Sequence, residues 1–144
     1  MKKQGSIIVE AIASIMILSL TTTFIVSACM QNSKILKERI LCEEANRAVA
    51  NLINEFKYNI SSEEIEKMLE NGQIGFRYNR DFSTKLLSSN VENLENGEEI
   101  WISKVSDEEI GLKLKIVANI RNDEIETSIE KEFTKSWWMD EIQR

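Results

Sequence analysis

Few residues of this 144-residue chain are equipped for chemistry, and their types exclude more than they offer. Histidine is absent, so the commonest general base and metal ligand is missing throughout. The two cysteines, Cys29 and Cys42, are too few for a four-ligand zinc centre. Neither a catalytic group nor a cofactor is expected. The residue that stands out is Glu10, the one charged side chain between Lys3 and Lys34. It lies five residues after Gly5, at the start of an apolar run. An ionised carboxylate near the middle of a membrane costs of order a few kcal/mol even on insertion scales, so it calls for a partner. The alternative is that Glu10 snorkels at the membrane surface, outside the true span.

The element that carries Glu10 is apolar and long. No charge occurs from Ala11 to Ser33, and the roughly 20 residues from Ala11 to Met30 make about 30 Å of helix, the thickness of a bilayer core. Lys2 and Lys3 precede the run, and Gln31-Asn32-Ser33 closes it without a base. The positive-inside tendency therefore predicts a cytoplasmic amino terminus and an extracytoplasmic remainder. Three processing fates compete. An ordinary secretory signal has a shorter apolar region and no carboxylate at its start. Val26-Ser27-Ala28-Cys29 resembles a lipobox, in which Cys29 would be lipidated and become the new amino terminus.

The third fate accounts for more residues. Gly5-Ser6-Ile7-Ile8-Val9-Glu10, after a short basic leader, resembles the class III signal of type IV prepilins and pseudopilins. The resemblance implies that prepilin peptidase cuts after Gly5, that Ser6 becomes the methylated first residue, and that the apolar helix stays attached as building material. The new amino group at Ser6 is then the obvious partner for Glu10. In the family this glutamate is thought to meet the terminal amine of a neighbouring subunit, which would set axial register as one buried polar residue does in a coiled coil. Ser6 and Ile7 stand where phenylalanine and threonine are common, and the helix proline of many pilins is absent. These departures fit a minor pilin or pseudopilin. The implied partners are the peptidase, other pilin or pseudopilin subunits, the pilus assembly platform and the membrane.

Beyond the run, apolar side chains recur at Ile35, Leu36, Ile40, Leu41, Ala45, Ala48, Val49, Leu52, Ile53 and Phe56, the stripe of an amphipathic helix. With no proline in the chain and no glycine between Gly5 and Gly72, one helix of about 50 residues is predicted from Ser6 to Phe56. Cys29 and Cys42 would lie roughly 20 Å apart on it, too far to bridge within one chain. Both are expected to be packing residues.

Ser61 and Glu64 form a candidate capping box for a short helix over 62–70, stopped at Gly72. Residues 73–99 are expected to be a loop with one strand near 74–79, closed by an Asn96-Gly97 turn. Ile110, Leu112, Leu114, Ile116, Ala118 and Ile120 alternate with mainly polar residues, as do Ile125, Thr127, Ile129 and Phe133. With Ile100–Val105 they predict a three-stranded antiparallel meander, joined at 121–124 by a polar turn. Its apolar face needs cover, and the stripe from Ile35 to Phe56 can supply it. The fold class is thus α+β. A long helix on an antiparallel sheet of about three strands is also the pilin head architecture. Trp137 and Trp138, adjacent in an expected strand, would point to opposite faces, sealing the sheet edge or touching a neighbouring subunit.

The net charge of −6 argues against a nucleic-acid partner, which would require clustered bases. Removing the two leader lysines leaves 16 bases against 24 acids, or −8. The expected organisation is a leader at 1–5, a membrane or filament-core helix at 6–33, and an extracytoplasmic head at 34–144. The head comprises helix 34–57, short helix and loop 58–99, and meander 100–138. The expected function is structural, with the chain held in the cytoplasmic membrane and then assembled into a pilus or a secretion or competence pseudopilus. A surface lipoprotein anchored at Cys29 and an unprocessed single-pass protein are the alternatives.

Overall fold

The computed structural model describes residues 2–70, 72–79, 81–88, 91–122 and 125–141, with backbone alone for 2–6, 92 and 141. The chain divides into two compact units, Met1–Arg39 and Ile40–Arg144. Helix α1 (Lys2–Tyr58) forms all of the described part of the first unit and continues into the second. Its length follows from the lack of any helix-breaking residue after Gly5.

In the second unit α1 is followed by α2 (Ser62–Met68), β1 (Gln73–Phe76), α3 (Phe82–Ser88), a 3-10 turn at Val91–Asn93, β2 (Ile100–Glu108), β3 (Gly111–Asn122), β4 (Ile125–Ser136) and α4 (Trp138–Glu141). The sheet runs in the order β1-β2-β3-β4 with every pair antiparallel. The result is the expected α+β layout, a long amino-terminal helix packed on an antiparallel sheet, with four strands in place of about three.

One face of α1, presenting Leu41, Ala45, Ala48, Val49, Leu52 and Phe56, shares a core with Ile100, Ile102, Leu114, Ile116 and Ala118. Each large side chain buried there contributes about 1.5–3 kcal/mol by leaving water. The cover begins at Leu41, later than expected: Ile35, Leu36 and Ile40 are exposed. Ile110 also departs from the expected strand, lying exposed in the turn between β2 and β3. The alternation that follows it holds, since Leu112, Leu114, Ile116, Ala118 and Ile120 are all buried.

The capping box at α2 forms as its spacing predicts. The Ser61 hydroxyl accepts from the Glu64 amide, and the Glu64 carboxylate accepts from the Ser61 amide at 3.1 Å. The Ser61 bonds, backbone first, hold the Glu64 carboxyl below its ordinary value. Gly72 follows with φ of 89°, in the left-handed region that glycine adopts freely.

Residues 73–99 carry more structure than the expected loop. Phe82 and Leu86, one turn apart, are buried on α3. Asn96 bridges to Phe76, and Gly97 backs onto Gly75 so closely that a Cβ on Gly75 would strike the Gly97 carbonyl. Asn96-Gly97 is therefore a strap along β1 rather than a simple turn. Asp123 and Glu124 of the expected 121–124 turn lie outside the described residues, while Arg121 and Asn122 extend β3.

Candidate functional site

The first unit presents Glu10 on an exposed helix whose neighbours are apolar. Ile7, Ile8, Val9, Ile12, Ile15, Met16, Ile17 and Leu18 are all exposed. Among the described residues, one helix is long and apolar enough to cross a membrane, with a mean hydropathy of 2.0 over its most apolar window and none of that window buried. Hydroxyl side chains within the run would be costly in hydrocarbon if left without acceptors. Five of them, Ser14, Ser19, Thr21, Thr22 and Thr23, find one on their own helix. Ser14 donates to the Glu10 carbonyl at 2.8 Å, Ser19 to Ile15 at 2.8 Å, Thr22 to Leu18 at 2.8 Å and Thr23 to Ser19 at 2.8 Å. Thr21 shares its proton between the carbonyls of Ile17 and Leu18. The run can therefore enter lipid with these hydroxyls satisfied.

Glu10 has no ion-pair partner among the described residues. Gly5 and Ser6 belong to α1 by backbone, and the Ser6 side chain lies outside what the structure describes. Ser6 and Glu10 are one helical turn apart, so the carboxylate is carried on the face above the Ser6 backbone. Lys34, Lys37 and Arg39 follow the run, against Lys2 and Lys3 before it, so the basic residues near the span are not confined to one side.

Cys29 is free and exposed on α1, and Cys42 is free and half-buried. The Cys42 carbonyl accepts from Asn46 Nδ2 at 2.9 Å. Trp137 and Trp138 are both exposed, and they are not strand residues: β4 ends at Ser136, Trp137 is in a turn and Trp138 starts α4. They therefore do not point to opposite faces of a strand.

The second unit contains one polar feature that the sequence did not suggest. Lys135, on the core side of β4, is wholly buried. Its Nζ donates to the Lys57 carbonyl at 2.7 Å and pairs with Asp140 Oδ1 at 2.9 Å. Asp140 also accepts from the Ser62 amide at 3.3 Å. Burial would raise the Asp140 carboxyl, but the bonds from Lys135 and Ser62 outweigh it and hold the group below its ordinary value. The cluster joins the end of α1, the start of α2, β4 and α4. Lys135 and Asp140 are engaged with each other and with the backbone at Lys57 and Ser62, a structural clasp, beside which the Ser62 hydroxyl is buried without a partner among the described residues.

On the opposite sheet face, Lys113 meets Glu132 at 3.1 Å and Lys115 meets Glu130 at 2.6 Å, both diagonal pairs across β3 and β4. A groove of about 780 Å³ runs past Leu41, Arg47, Tyr78, Asn79 and Arg121. Burial, with Glu44 adding to it, raises the Tyr78 phenol above its ordinary value. No cluster of metal-ligating side chains occurs among the described residues.

No protein-family model, curated protein or solved structure matches the chain.

Proposed function

We propose that the chain is a minor type IV pilin or pseudopilin, a structural subunit cut by prepilin peptidase after Gly5, methylated at Ser6 and assembled through its apolar helix. The observation that carries this reading is Glu10, the sole charge between Lys3 and Lys34, at fixed distance from Gly5 and on an exposed apolar helix. Its partner is the Ser6 amino group of an adjacent subunit. On this reading the amino terminus faces the cytoplasm, the second unit lies outside the membrane, and the assembly platform draws the subunit into a pilus or pseudopilus. All of the chemistry is done to the chain, at the Gly5-Ser6 bond.

Val26-Ser27-Ala28-Cys29, with Cys29 exposed, favours a second reading, a lipoprotein anchored at Cys29. The mature amino terminus separates the two. Intact-mass analysis of the membrane-extracted chain should give a species beginning at methylated Ser6. A diacylglyceryl-Cys29 terminus would sink the pilin reading, and an intact Met1 would leave a simple anchor. Glu10→Ala should leave processing and membrane association unchanged while lowering recovery in sheared filaments, and undiminished recovery would remove the register role.

A further inference from the structure

The second unit exposes a compact apolar patch where β2 turns into β3 and β4 ends. Ile110, Trp137 and Trp138 are 62%, 42% and 55% exposed, and the Trp137 amide donates to the Ile110 carbonyl at 3.2 Å, which draws the turn and the strand end together. The patch adjoins the buried clasp. Just before Trp137, Lys135 is clamped by Lys57 and Asp140, and on α4 Met139 is buried beside exposed Trp138. Two exposed indoles have the composition of an interface centre, because they offer large contact area at little entropic cost. Glu108 and Glu109 immediately precede Ile110, with Lys113 within electrostatic reach of Glu108.

The chain also carries a surface of opposite character. Between Lys34 and Arg39, three bases accompany a single acid, Glu38, while Ile35 and Leu36 are 54% and 59% exposed. Among the described residues Lys34, Lys37 and Arg39 form no ion pair. We propose that the tryptophan patch of one copy docks on the Lys34–Arg39 collar of a second copy, indoles against Ile35 and Leu36, with Glu108 and Glu109 facing the collar's bases. The match is one of apolar centre and opposite charge. Where the contact is not reciprocated between the two copies it is heterologous, and each copy then offers a free patch or collar to a further one. The proposal rests on the filament-subunit reading and names a contact within it.

The test uses two full-length chains of different mass, one with Leu36→Cys and the other with Ile110→Cys, both also carrying Cys29→Ser and Cys42→Ser. They are co-expressed and oxidised in membranes with copper phenanthroline. A mixed disulfide that needs both cysteines is expected. Trp138→Ser should lower its yield by about fivefold or more. Lys37→Glu on the collar chain should lower it by up to about fivefold, and Glu109→Lys on the other chain should restore it. Absence of the mixed species, an equal yield from Ile110→Cys alone, or indifference to Trp138→Ser would each overturn the contact. A chain matured at Ser6 that gives no mixed disulfide overturns this contact and leaves the filament reading standing. A mixed disulfide in a chain retaining Met1 supports the contact and removes the pilin processing.

Discussion

Lys135 is a charged side chain wholly enclosed in the second unit. It shares parity with Ile129 and Phe133 on β4, so the strand's alternation puts it on the core face. Its charge argued for solvent, and only the approach of Lys57 and Asp140 makes burial tolerable. Truncating one partner of such a pair leaves a buried charge exposed to the cost of its own desolvation. Asp140→Ala should therefore destabilise the second unit by about 3 kcal/mol or more, whereas Lys135→Met, which removes the buried cation, should cost less. Urea unfolding of both variants in detergent checks the order, and equal losses would count against a buried ion pair. Acid should act on the same bond. The Asp140 carboxyl is held below its ordinary 3.8 in the folded chain, so its contribution is complete above that value and is lost as pH falls through the depressed folded value. The wild-type urea midpoint should fall on acidification through this window by more than that of Asp140→Asn.

At the scale of elements, the two edges of the sheet are treated differently. β1 is covered by the strap through Asn96 and Gly97. β4 is an edge strand of 12 residues with no such strap among the described residues. Lys131 and Lys135 point to its inner face, a placement that penalises the docking of a foreign strand because pairing would press the charges into a dry interface. Lys131→Val should accordingly leave the fold intact and raise light scattering on concentration; unchanged scattering would mean that other residues guard the edge. α3 is not legible in the sequence. Phe82 and Leu86 carry its whole buried face, and two apolar residues one turn apart amid Asn and Ser are too short a pattern to distinguish from loop. The capping box was legible because its two bonds are local to four residues.

For the whole molecule, the division at Arg39 and Ile40 separates two kinds of surface. The first unit exposes an apolar run suited to lipid or to other helices, and every member of the buried core comes from Leu41 onward. A chain beginning at Ile40 should thus fold and remain soluble, with a cooperative thermal transition, while the full chain should sediment with membranes until detergent releases it. Aggregation of the shortened chain in an otherwise folded preparation would show that the second unit depends on the first.

The amino-acid sequence by itself determined what depends on neighbours along the chain. The Ala11–Met30 run, the unbroken helix, the alternation from Leu112 to Ile120 and the Ser61–Glu64 cap all rest on interactions that close within a few residues or on the bulk preference of a segment for oil or water. The spacing of Gly5, Ser6 and Glu10, which carries the proposed function, is of the same local kind. The tertiary structure decided what depends on distant partners. It set the point at which α1 meets the sheet, so that Leu41 is buried and Ile35, Leu36 and Ile40 are not. It paired β1 with β2, turned Ile110 and both terminal tryptophans outward, and enclosed Lys135 beside a carbonyl 78 residues away in sequence. Such contacts form between segments whose separate patterns contain no record of one another, so their energies are settled only when packing brings them together.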